Sequence, residues 1–296
     1  MSNPADSHLA APPAALRLKT SGDVVLDLVA GLHFAGRQRQ AIADFVEATR
    51  LWRLGVTLAW LDVKGRYRGS MLGPLWLTLS TAVMVAAMGV LYSTLFKMVL
   101  HDYLPFLALS LVLWGYLQTL VAEASLGYTQ NDAMIRAVRM PFSLYGGRIV
   151  LRNLIVLGHN IIVIVVVFAI FDTWPGMRGL IALPGLALWL IDSLAITMTL
   201  AALCARFRDI PPIVGSVMQI AFFISPVIWR PELIRHGARF LPINPFYALF
   251  EIVRAPLLGE IPGAIIWGSA IAYSVLLVVL SWLLFVRVRG RLAFWV

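Results

Sequence analysis

Charge is scarce in this chain. Of its 296 residues only 13% are Asp, Glu, Lys or Arg, about half the roughly 25% a soluble globular domain carries. That is too little to solvate a globular surface, and a water-soluble fold is excluded. Cysteine is scarcer still: Cys204 stands alone, so no intramolecular disulfide can form. Also absent are a G-x-x-x-x-G-K-[ST] phosphate loop, a dinucleotide glycine fingerprint, an H-E-x-x-H pair and any paired Cys/His spacing. The five histidines, His8, His33, His101, His159 and His236, fall in different segments. By spacing, then, no catalytic, cofactor-binding or metal-binding residue is expected. The first 30 residues lack a basic region followed by an apolar core, so no cleavable leader is expected either.

What the chain has is apolar length, with 60% hydrophobic residues. Six runs are long enough to span a bilayer, for which ~20 residues at ~1.5 Å rise suffice. They are Gly69–Phe96, Tyr103–Ala122, Asn153–Phe171, Gly179–Ala205 (interrupted by Asp192), Ile210–Trp229 and Ile261–Val286. Continuous runs rather than short alternating segments make them helices, since lipid leaves no other way to satisfy the backbone. The expected fold is therefore an all-α membrane protein with six transmembrane helices. With the N-terminus inside, eighteen Lys and Arg fall on the cytoplasmic side and six outside, which sets both termini in the cytoplasm. The net charge of +9 then reads as a topology signal and an attraction to anionic membrane lipids, not as a nucleic-acid signal.

Three parts follow. Residues 1–36 are expected to be a flexible cytoplasmic tail, rich at first in Ala, Pro, Ser and Asp. Residues 37–68 read as an amphipathic interface helix followed by a basic collar. Ile42, Phe45, Val46, Thr49 and Trp52 recur at helical spacing, with Asp44, Glu47 and Arg50 opposite. Trp52 and Trp60 suit anchoring in the headgroup layer. Residues 69–296 form the six-span domain. In DVKGRYRGSMLGPLW (Asp62–Trp76), Gly65, Gly69 and Gly73-Pro74 turn the chain into the first span, while Lys64, Arg66 and Arg68 hold the corner inside.

Two further segments stand out. Between spans two and three, Asn131 or Asp132 can cap a short helix bearing Met134, Ile135 and Val138, with Arg136 and Arg139 beside them. Periodicity leaves open whether it packs on the bundle base or docks a partner. After span five, six prolines from Pro226 to Pro262 break the chain into pieces too short to span and too apolar for an exposed loop. Short re-entrant or interfacial helices on the outer side fit best, one of them started by Asn244-Pro245. Tyr92, Phe96, Tyr103, Phe222, Phe223, Trp229, Phe246 and Tyr247 gather near the outer ends, as an interfacial belt or as a stacking surface for sugars. Asp192 is the one acid deep in a run, either functional or a hydrogen-bonding staple to His159 or a serine.

From about Gln40 to Arg291 the chain resembles the polysaccharide-export permeases of ABC transporters, which move O-antigen, capsular and teichoic acid chains. The resemblance rests on the R-Y-R-G-S-x-L-G-x-x-W core within Asp62–Trp76, on six spans, on the segment ending Met140-Pro141, and on Asn244-Pro245-Phe246 with Arg254. It implies a permease subunit rather than an enzyme, working as a homodimer in the bacterial inner membrane with two ABC ATPase subunits that bind the ATP and Mg. It implies that Asp132, Met134, Ile135, Arg136 and Arg139 face the ATPase. Lys64, Arg66 and Arg68 would meet the diphosphate of a polyprenyl-linked glycan. Tyr92, Phe96, Phe222, Phe223, Trp229, Phe246 and Tyr247 would line the glycan path. A membrane-embedded transferase acting on polyprenyl-linked sugars is the alternative; it needs acidic metal ligands or a catalytic dyad at the cytoplasmic face.

Overall fold

The computed structural model describes residues 33–296 apart from 67, 70–72, 74, 235 and 236. The expected tail therefore lies outside the described residues as far as residue 32. Its last residues are already helical, because helix α1 runs Phe34–Arg50. After a one-residue break at Leu51, α2 runs Trp52–Arg66. Then come α3 (Leu75–Leu95), α4 (Leu100–Ser125), the short α5 (Asp132–Ala137), α6 (Phe142–Phe171), α7 (Ala182–Arg206), α8 (Ile210–Ile224), α9 (Pro245–Leu257) and α10 (Ala264–Trp295). Among the described residues there is no strand.

Five of these helices, α3, α4, α6, α7 and α10, are long and apolar enough to cross a membrane. The fifth expected run does not yield a helix of that length. Its apolar sequence continues to Trp229, but α8 ends at Ile224 after 15 residues. The reason is local: Pro226 bars its preceding residue from the helical region, and Ser225 sits in extended backbone at ψ 146°. At ~1.5 Å per residue α8 covers about 22 Å, short of the ~30 Å hydrocarbon layer.

Helix α4 is the axis of the bundle. Its apolar window is 78% buried, against 17% for α3 at the periphery. Around it pack α3, α6, α7, α8 and α9, while α10 lies along α7 and α9. The main core joins Leu107, Leu111 and Trp114 of α4 to Val163 and Val167 of α6, Trp189 of α7 and Phe250 of α9. A second core gathers Ala41 of α1, Tyr128, Tyr145, Met198, Phe285 and Leu292. At Gly185 the backbone of α7 meets α9 so closely that a Cβ there would stand 2.8 Å from the Ile252 carbonyl oxygen.

Candidate functional site

The turn after α2 uses left-handed backbone at Gly69 (φ 86°) and Gly73 (φ 55°), which glycine alone adopts without strain. Where α2 ends, an ion cluster ties three helices together. Asp62 and Arg66 lie one turn apart on α2, and Arg148 and Arg152 one turn apart on α6, so each pair faces one way. Arg148 donates to both oxygens of Asp62, Nε at 2.7 Å and Nη2 at 2.5 Å. Arg152 reaches Asp62 at 3.2 Å and Glu123 of α4 at 2.7 Å. The other Glu123 oxygen accepts from Arg66 at 2.5 Å, and Asn153 donates to Glu123 at 2.6 Å. Three guanidiniums against two carboxylates leave one excess positive charge.

Of the three collar cations singled out in the sequence, Arg66 belongs to this cluster, while Lys64 and Arg68 are exposed beside it. Arg148, Arg152, Asp62 and Glu123 were not selected as site residues. The i, i+4 repeats D-x-x-x-R and R-x-x-x-R were the available signal.

Asp44 overturns the expected face of α1. It was placed on the polar side with Glu47 and Arg50, yet it is fully buried, whereas Ile42 and Val46 are exposed. Its carboxylate accepts from the Phe142 and Ser143 amides at 3.2 and 3.0 Å and from the Ser143 hydroxyl at 2.6 Å. Pro141, the N-cap of α6, offers no side-chain cap of its own, so α1 supplies one to α6. Arg289 of α10 completes the site with a 2.9 Å bond from Nε. Trp52 and Trp60 are 58% and 55% exposed.

Helix α5 ends at Ala137, two residues before the expected Arg139, because Val138 is extended. Met134 and Ile135 pack on the second core, and Arg136 pairs with Asp132 and donates to the Val296 carbonyl oxygen at 2.7 Å. Val138 and Arg139 are exposed. Neither Asn131 nor Asp132 caps the helix through its side chain. Asn131 instead accepts from Arg148 at 3.3 Å, and Met134 Sδ lies 3.7 Å from the same guanidinium. The short helix thus touches the ion cluster directly.

Asn244 caps α9, its Oδ1 accepting from the Phe246 amide at 3.0 Å, as Asn244-Pro245 led one to expect. Arg254, near the end of α9, is 1% exposed. It pairs with Glu251 at 2.5 Å, donates to the Pro226 carbonyl at 2.5 Å and to Ser110 at 2.9 Å, and lies 4.4 Å from the Phe106 ring centre. One guanidinium thereby pins the loop after α8 and α9 to α4.

The aromatic residues fall into two groups. Tyr92 stacks on Phe96, which meets Tyr103 edge-on. Phe222 contacts Phe223, and both Phe222 and Phe246 meet Trp114. The Trp229 indole donates to the Phe223 carbonyl at 3.1 Å, and Tyr247 is buried. A cavity of about 330 Å3 between α3, α4 and α8 combines Trp114, Phe222 and Phe223 with the amides Gln118 and Gln219. Trp114 and the two glutamines were not anticipated, since only the fold brings them to these rings.

Asp192 accepts from Ser274 at 2.6 Å and so staples α7 to α10. The His159 ring bonds its own helix, at the Ile155 carbonyl.

A polytopic helical bundle with a cationic corner at the end of α2 and a proline-broken segment between α8 and α10 fits a membrane permease subunit. The chain belongs to the ABC-2 type transporter family, whose model matches residues 54–258. The match reaches from α2 to the end of α9. The chain is 25% identical over 203 residues to the O-antigen export system permease protein RfbA of Myxococcus xanthus, covering 68% of this chain and 78% of the relative. It is 24% identical over 193 residues to an RfbA of Klebsiella pneumoniae, covering 62% of this chain and 71% of that protein. The function expected from the family resemblance and the relatives' printed names coincide.

Proposed function

We propose that this chain is the transmembrane subunit of an ABC exporter that carries a lipid-linked polysaccharide of the O-antigen class across the bacterial inner membrane. ATP and Mg are bound and hydrolysed by a separate ATPase subunit. The two relatives support the substrate class, and the ion cluster at the end of α2 is the observation that carries the mechanism. In this reading two copies form the pathway, and α8 with the loop to Trp229 makes a shortened sixth crossing. Both termini are cytoplasmic, α1 and α2 lie in the inner headgroup layer, and α9 is re-entrant from the outer side.

Lys64 and Arg68 meet the diphosphate first, and Arg66 exchanges Glu123 for a phosphate oxygen. The exchange costs little because Glu123 keeps Arg152 and Asn153 as donors. The glycan then passes along Tyr92, Phe96, Phe222, Phe223, Trp229 and Phe246, where flat rings stack on apolar sugar faces. Tyr247 supports this surface from behind.

The ATPase docks on the exposed edge of α5, with Arg136, Val138 and Arg139 at its surface and Asp132, Met134 and Ile135 setting its orientation. Displacing α5 moves Asn131 and Met134 against Arg148, and through Asp62, Arg152 and Glu123 the displacement reaches Arg66. Nucleotide binding and lipid capture are thereby coupled through one contiguous network. The transferase alternative loses ground because Asp62 and Glu123 are both held by arginines instead of standing ready for a metal or a proton.

An Arg66→Ala/Arg68→Ala double variant tests the diphosphate role. Export should fall sharply while the ATPase still co-purifies with the chain. Normal export by this variant would remove the role.

A further inference from the structure

The cavity of about 330 Å3 between α3, α4 and α8 shares Phe222 and Phe223 with the glycan path, but stacking leaves its two glutamines unexplained. Each stands one turn from a ring on its own helix. Gln118 follows Trp114 by four residues, and Gln219 precedes Phe222 and Phe223 by three and four. The fold turns both sets into one space. Trp114 is 2% exposed and packs against Phe222 at 5.5 Å between ring centres. Phe223, 62% exposed and edge-on to Phe222, keeps an open ring face.

The hydroxyls nearby are satisfied by their own helices. Thr81 bonds the Leu77 carbonyl at 2.9 Å, Thr119 that of Gly115 at 2.7 Å and Ser216 that of Pro212 at 3.1 Å. Gln118 and Gln219 differ: both are exposed, and neither side-chain amide bonds another described residue. Facing lipid, such open amides would be costly, so polar side chains in apolar helices turn to the bundle interior or to a watered space. The lining also selects a ligand. Each carboxamide offers two N–H donors and an acceptor oxygen, which suits sugar hydroxyls that both donate and accept. The open Phe223 ring suits the apolar face of a sugar. Among the described lining residues there is no Asp, Glu, Lys, Arg or His, so nothing there compensates a buried charge. The volume stands near the lower end of ligand pockets, about 300 Å3, which suits one sugar unit.

We infer that this cavity reads one neutral sugar unit of the passing glycan, Gln118 and Gln219 bonding its hydroxyls while Phe223 stacks on its ring. The inference rests on the glycan-export reading given above and adds a point of selection to it. Stacking alone accepts many sugars, whereas amides built to bond a hydroxyl are left unpaired by a sugar that lacks it.

The test uses the chain with its ATPase subunit in sealed vesicles. The probes are a polyprenyl-diphosphate-linked oligosaccharide of neutral hexoses and a panel of counterparts, each lacking one free ring hydroxyl. Wild type should move at least one deoxy counterpart about tenfold more slowly than the parent, as the loss of a hydrogen bond to an open amide gives. Gln118→Leu/Gln219→Leu should slow the parent and bring it within about threefold of that counterpart. If the leucine pair fails to assemble with the ATPase, Gln118→Met and Gln219→Met keep the side-chain length and should narrow the same ratio. Equal rates for the whole panel in wild type would overturn the inference. So would variants that slow every glycan alike and keep the wild-type ratio, since that is the mark of a structural role. The export reading fails separately, if wild type moves no glycan in response to ATP.

Discussion

Asp44 and Ser143 join the helix that precedes the first span to the start of the third. The buried carboxylate takes both the amide and the hydroxyl of Ser143, while Arg289 of α10 neutralises it. Removing the carboxylate strips α6 of its cap and leaves Arg289 without its partner. Asp44→Ala should therefore cost about 3–5 kcal/mol, the usual penalty for breaking a buried charged pair. Asp44→Asn keeps an acceptor for the amides and should cost roughly half as much. Thermal unfolding in detergent, followed by tryptophan fluorescence, measures both. Equal stability of the alanine variant and wild type would show that α1 does not hold α6.

Arg148 stands where α5, through Asn131 and Met134, meets the ion cluster. A lysine there keeps the charge but loses the two parallel bonds to Asp62. Arg148→Lys should leave the ATPase bound and hydrolysing while export falls by about tenfold or more, equivalent to about 1.4 kcal/mol of lost coupling. Unchanged export per ATP would take Arg148 out of the path.

Arg254 secures the segment between α8 and α9 to α4. Arg254→Ala leaves Glu251 and the Pro226 carbonyl without their donor, and the expected loss is again about 3–5 kcal/mol. Limited proteolysis from the outer side should cut the variant between α8 and α9 faster than wild type, and equal cutting rates would refute the role.

Glu260, in the loop after α9, offers a pH test. Although Glu260 is exposed, nearby protein partly desolvates its carboxyl, and Glu251 and Glu232 repel its charge, so its pKa is raised despite the relief from Arg230 and Arg254. A raised carboxylate pKa means that the folded state prefers the protonated form. Stability from this group is present at acidic pH and is lost as pH rises through the raised pKa. Glu260→Gln should unfold at a higher temperature than wild type at pH 7.5, and the gap should close as pH falls toward the ordinary carboxylate range. A gap that widens on acidification would reverse the assignment.

Asp192 is bonded to Ser274 across α7 and α10, which fits a staple. Asp192→Asn retains an acceptor for that hydroxyl and should export at close to the wild-type rate. A complete loss in a stably folded variant would instead assign Asp192 a function.

The spans were legible because lipid makes apolar length and helix nearly synonymous, and α3, α4, α6, α7 and α10 overlap the expected runs. The α8 segment was not, since hydropathy counts Val227 and Ile228 equally with helical residues and ignores what Pro226 does to the backbone. The Asn244 cap was legible as a local signal. Asp44 was misread for the opposite reason: helical periodicity assigns a lone acid to the wet face, and only the approach of Phe142, Ser143 and Arg289 makes a buried place for it. The ion cluster joins residues 29 to 90 positions apart, and a single sequence carries no record of such pairings. Arg66 was found because its collar motif is local, whereas Glu123, which holds it, is brought there by the packing of α4.

Transport itself is the most direct test. The chain is reconstituted with its ATPase subunit in sealed vesicles whose lipid carries a radiolabelled O-antigen-type glycan on polyprenyl diphosphate, and glycan moved to the opposite side is counted with and without ATP. The account predicts ATP-dependent movement that is lost when either subunit is omitted and strongly reduced by Arg66→Ala/Arg68→Ala. Movement without the ATPase, or glycan chemically transferred to another acceptor and not translocated, would contradict it.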